Sequence, residues 1–130
     1  MSTKYSVSTE QYAERHFIKT FEKKYHQAWE ITREALTREL QSFDVLLQTT
    51  IAEVIAFKEE IRISKIEFSV AGTNQSRHGS GNRAIVAVHD DCGVIKVLLV
   101  YHKSYLRGGN ETVQWKQIIK DNYPEYRQLL

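Results

Sequence analysis

A change of hydrophobic period near residue 64 constrains this chain more than any other feature. From 10 to 43 there is neither Gly nor Pro, and most residues are good helix formers. Phe17, Phe21, Ala28, Trp29, Thr32, Leu36, Leu40 and Phe43 recur at helical steps and make one apolar face. Lys65-Ile66-Glu67-Phe68-Ser69-Val70 then alternates strictly, with Ile66, Phe68 and Val70 on one side of a strand. A helical half followed by strands predicts an α+β fold, with helices segregated on one face of an antiparallel sheet.

The remaining punctuation fills in the order. Lys4 to Ser8 alternates as a short strand does, and the crowding at Lys23-Lys24-Tyr25-His26 marks a place where the first helix either continues or turns into a hairpin. Leu46, Leu47, Ile51, Val54 and Ile55 extend the helical pattern through 44–60, although Thr49-Thr50-Ile51 is β-branched and argues against it. Strands are expected at 64–72, 83–89 and 94–102, joined as a meander. Residues 74–81 form a polar loop, and Asp90-Asp91-Cys92-Gly93 has turn chemistry. The run at 83–88 is apolar almost throughout, as in a strand covered on both faces. Asn110 caps a final helix at 111–121, which Pro124 closes. At 130 residues the chain has room for one domain, 1–130.

Composition excludes several classes. No stretch approaches the roughly 18 apolar residues of a membrane span, and the first residues carry no apolar signal core. One cysteine, Cys92, permits neither an internal disulfide nor a cysteine-based metal site. The expected setting is the reducing cytoplasm. There is no phosphate-binding glycine loop, HExxH or GxSxG, so neither metal nor other cofactor is expected. Net charge is +2, unevenly placed: residues 1–60 hold 8 Lys and Arg against 10 acids, and 61–130 hold 10 against 6. The excess lies within 62–107, alongside His78, His89 and His102. Such a half suits a polyanion such as RNA, and equally an ordinary solvated surface.

Within that half, Arg83 opens one strand while His102 and Lys103 close the next, and an antiparallel hairpin brings those ends together. Lys65 begins the preceding strand, and Arg77 and His78 sit in the loop before Arg83. Arginine and lysine hold phosphate, and histidine moves protons near neutral pH. Together they are sufficient for RNA cleavage in which a 2′-hydroxyl attacks its own phosphodiester. Regular alternation puts His102 on the side of Lys96, Leu98 and Val100, and the expectation is that Arg83 and His102 converge on one concave surface. The same spacing suits side chains that merely solvate a sheet end, and spacing alone favours that plainer role. Tyr123 and Tyr126 flank Pro124 and can stack on bases, though terminal tyrosines are commonplace.

Lys65-Ile66-Glu67-Phe68, Gly81-Asn82-Arg83-Ala84-Ile85-Val86 and Val97-Leu98-Leu99-Val100-Tyr101-His102-Lys103, in this order of elements, resemble the RelE/ParE toxin superfamily over roughly residues 4 to 105. The resemblance implies a curved sheet with helices on one face, a basic groove on the open face, and an antitoxin partner. In its ribosome-dependent branch it implies an endoribonuclease acting on mRNA without a metal, with no membrane and no DNA contact from this chain. Lys65 and Arg83 match the family residues that activate RNA and stabilise the scissile phosphate. His102 or Lys103 falls near a strand end that carries a histidine or arginine. Glu67 stands where a second lysine is usual, and some branches use a glutamate base. The catalytic candidates are thus Arg83, His102, Glu67 and Lys65, with Lys103, Arg77, His78 and Arg107 as RNA-binding candidates. Segment 44–60 has no counterpart in the family. A gyrase-directed toxin of the same fold and a non-catalytic protein-binding module are the alternatives.

Overall fold

The structure is a computed structural model, and it describes residues 4–106 and 109–130. Its centre is a sheet whose described strands run in the order β1-β5-β4-β3-β2. These are β1 (Ser6–Thr9), β2 (Ala52–Lys58), β3 (Ile61–Phe68), β4 (Asn82–His89) and β5 (Val94–His102). The last four form an antiparallel meander, whereas β1 lies parallel to β5 at one edge. The fold is α+β, and strands stand at the three expected places, although the one expected at 64–72 runs from Ile61 to Phe68, so that 69–72 are not strand.

Segment 44–60 departs from its helical reading. Only α4 (Phe43–Leu46) is helical there, and the chain then enters β2. Leu47, Ile51, Val54 and Ile55 fit a helical period by coincidence. The β-branched run decides the outcome once β3 is available to pair, because branched side chains pack well on a pleated surface.

The N-terminal helices cover one face. After α1 (Gln11–Ala13) comes a π-helical stretch, Glu14–Ile18, and then α2 (Lys19–Tyr25). The chain turns at His26, whose φ is +53°, into α3 (Gln27–Gln41). Phe21, Trp29, Leu36, Leu40 and Phe43 then pack against Ile66, Phe68, Ala84, Val86 and Val88. The π-turn redirects Phe17 out of this stripe, and it packs with Tyr12 and the C-terminal residues instead.

The opposite face is not open, contrary to the expectation drawn from the family resemblance. Asn110 Oδ1 accepts from the Val113 N–H at 3.2 Å and starts α6 (Glu111–Asn122), which is followed by a 3₁₀ stretch, Pro124–Leu129. Trp115, Ile119, Tyr123 and Tyr126 lie against Ile63, Ile85, Ala87, Leu99 and Tyr101. The two terminal tyrosines are therefore core residues. Tyr123 donates to the Leu98 carbonyl at 2.8 Å, and the Tyr126 hydroxyl meets His89 Nε2 at 2.8 Å. With both faces covered, β4 is buried from Asn82 to Val88.

Candidate functional site

Strand register builds the site. Glu67 lies opposite Arg83, and Arg83 lies opposite Tyr101, so three adjacent strands present one polar row. Directly opposed residues share a face, here the α6 face, because Ile63, Ile85 and Leu99 of the same alternation pack under α6. Lys65, opposite Ile85, shares this face one row further in.

Two further elements bring side chains to the row. Short α5 (Arg77–Ser80) is pinned by Ser76 Oγ, which accepts from Gly79 N–H at 3.0 Å, and by Ser80 Oγ, which donates to the Phe68 carbonyl at 2.6 Å. It sets His78 Nδ1 at 2.6 Å from Glu67 Oε2. A carboxylate only accepts, so this nitrogen is the donor, and in a neutral ring Nε2 carries the lone pair. The His78 side chain is 83% exposed, and among the described residues its Nε2 makes no hydrogen bond. From the first turn of α6, Glu111 Oε2 accepts from Tyr101 OH at 2.7 Å and lies 3.9 Å from Arg83 Nε.

Arg83 sits beneath these groups, 5% exposed. Its Nη2 is 3.3 Å from Glu67 Oε2, and its Nη1 donates to the Asn82 carbonyl at 3.0 Å. Two carboxylates thus balance one buried guanidinium, as burial of a permanent cation requires. Burial pushes the Tyr101 phenol far above its ordinary range, and the bond to Glu111 adds to the rise. Tyr101 therefore stays protonated and acts as a donor. Lys65 Nζ is 3.4 Å from Glu53 Oε1.

Arg83 and His102 do not converge. His102 pairs with Asn82 and lies on the face of Ala84 and Val100, away from Arg83. The cause is a slip in the β4–β5 register between Ile85 and Val86, which breaks the alternation between Lys96 and His102. His102 Nδ1 accepts from the Ser104 N–H at 3.1 Å, its ring lies 6.0 Å from that of Tyr105, and a Cβ at Gly81 would meet its Nε2 at 2.8 Å. Lys103 begins a 3₁₀ turn, Lys103–Tyr105, and is exposed. Arg77 turns to the helical face, where its guanidinium donates to both Glu39 carboxylate oxygens at 2.8 and 2.6 Å. Those bonds hold its pKa above the ordinary arginine value. Arg107 lies outside the described residues.

Tyr101 and Glu111 were not among the expected site residues. Counting the hairpin register back from the turn sets Val100 opposite Arg83, and only the slip between Ile85 and Val86 brings Tyr101 there; the approach of Glu111 depends on the docking of α6. Among the described residues no group of three or more His, Cys, Asp or Glu is placed to hold a metal ion. No helix among them is long and apolar enough to cross a membrane.

Fold and site define a class: an α+β protein with a mixed sheet between two helical layers, carrying a solvent-facing carboxylate–imidazole pair above a buried arginine. No family model matches the chain, and no curated protein matches it. Among solved structures it is similar to a chain of the archaeal RelE–RelB complex from Pyrococcus horikoshii OT3, at 12% identity over 76% of this chain and 94% of that one, with a TM-score of 0.44.

Proposed function

We propose that the chain, as one domain over 1–130, is a toxin-like endoribonuclease that cleaves RNA on the ribosome by side-chain acid–base chemistry and is neutralised in the cytoplasm by an antitoxin. The observation that supports this reading is the Glu67–His78 pair beside Arg83 and Lys65. His78 Nε2 takes the proton of a ribose 2′-hydroxyl, while Glu67 fixes the tautomer and steadies the imidazolium that forms. The 2′-oxygen bonds to the adjacent phosphorus and the bond to the 5′-oxygen breaks. A 2′,3′-cyclic phosphate results, and the departing oxygen takes a proton from solvent. Lys65 and exposed Lys103 supply positive charge for the RNA strand. Arg83, almost inaccessible, fixes Glu67 and favours the charge developing on the phosphate from below.

A second reading, a non-catalytic protein-binding module, draws on a specific observation: Arg83 is already balanced by Glu67 and Glu111. Induced expression separates the two. The RNase reading expects arrest of growth and translation, relieved by His78→Ala, together with new 5′-hydroxyl RNA ends. Wild-type expression with neither arrest nor new ends favours the binding module.

A further inference from the structure

The outer side of β2 has no strand partner among the described residues, since the sheet order ends there. This edge is unusually apolar. Phe57 is 75% exposed and Val54 37%. Long apolar edges invite strand addition, and proteins commonly blunt them with charge, bulges or short length.

Here the edge is complementary to itself. Laid antiparallel on a second copy about a two-fold axis normal to the sheet, β2 can place Glu53 opposite Lys58, Val54 opposite Phe57 and Ile55 opposite Ala56. In a regular strand Glu53 and Lys58, five positions apart, face opposite sides. In this chain the β2–β3 register slips between Val54 and Ala56, leaving Ile55 as an extra residue. Glu53 lies opposite Lys65 and Lys58 opposite Ile61, both on the α6 face, while Val54 and Phe57 lie opposite Ser64 and Arg62 on the other. The bulge therefore brings the two charges to one face and the two exposed apolar side chains to the other. That arrangement is what a two-fold pairing needs, and the symmetry supplies each contact twice. Glu53 and Lys58 are available for it, since their present contacts are the 3.4 Å approaches to Lys65 and Gln128.

We infer that β2 is a homodimerisation edge: two copies join β2 to β2 antiparallel, making one continuous sheet from two five-stranded halves. The test uses sedimentation of the full chain across a concentration series. Wild type should dimerise. Glu53→Lys and Lys58→Glu each place like charges opposite one another twice, and each should weaken the dimer roughly 10- to 100-fold. An equimolar mixture of the two variants restores opposite charges at both contacts and should form the heterodimer. Amide exchange on β2 gives an independent reading, with protection that rises with protein concentration. A wild type that stays monomeric with freely exchanging β2 amides overturns the inference. So does a dimer that both variants leave intact, or an unrelated chain occupying this edge in place of the second copy.

Discussion

His78 and His102 stand at the same end of the sheet, on opposite faces, and only one has the surroundings of a base. On the α6 face, His78 rests one nitrogen on a nearly buried carboxylate and turns the rest of its ring to solvent. On the helical face, His102 gives its Nδ1 to the chain at Ser104 and presses its ring against Gly81. Residue type and sequence position treat the two alike. What separates them is one residue of strand register, because a single slip inverts every side chain beyond it. Function at a sheet end therefore depends on pleat parity as much as on composition.

Arg83 anchors the α6 face. Arg83→Ala leaves Glu67 and Glu111 without their shared cation, so unfolding in urea should show a loss of about 3 kcal/mol, the low end for breaking a buried ion pair. Removing one stranded charge with Glu111→Gln in the same chain should recover part of it. RNA cleavage should fall with the fold. A loss under about 0.5 kcal/mol, the range of ordinary surface changes, would mean that the guanidinium does not hold this face together.

How much of this is visible before folding follows from the same contrast. Strict alternation at Lys65 to Val70 and the apolar run after Arg83 announce β3 and β4, since period 2 is a local property. The capping chemistry of Asn110 announces α6 equally well. Strand β2 was hidden because its apolar residues fit either period, and pairing with β3 decides between them. The slip near Leu98 leaves no compositional mark, so regular alternation gives the place of His102 at the strand end but the wrong face. Glu111 belongs to the site only through α6 docking, a tertiary event no local pattern encodes. Arg83 and Lys65 are legible as residues that open strands, and Glu67 only through the resemblance carried by Lys65-Ile66-Glu67-Phe68; that Glu67 lies opposite Arg83 follows from the β3–β4 register.

Replacing the two histidines one at a time should affect cleavage very unequally. Loss of a positioned base costs about 100- to 10,000-fold, and His78→Ala should impose a loss of that order on single-turnover cleavage of ribosome-bound mRNA. Glu67→Gln should cost less, since the amide still accepts from Nδ1 but no longer steadies the imidazolium. His102→Ala should leave cleavage within a few-fold. The reverse ranking would move the chemistry to the helical face and leave the His78–Glu67 pair as a loop fastener.

The smallest effect comes from a third histidine on the α6 face, at the far end of β4. His89 is partly buried, with Nε2 on the Tyr126 hydroxyl. Burial holds its pKa below the ordinary imidazole value, and the charge of Lys96 lowers it further. With a folded-state pKa below the unfolded one, the unfolded chain binds more protons through the interval between them. Stability therefore rises with pH across that interval, and this contribution is lost as pH falls below about 6.5. His89→Gln keeps a hydrogen-bonding partner for Tyr126 but removes the titration. The wild-type Tm should drop more than the variant's between about pH 7.5 and 5.5, on either side of the free imidazole pKa. Equal drops in wild type and His89→Gln would show that burial on this face is too shallow to disfavour charge. The contrast between the site end and the core end of β4 would then disappear.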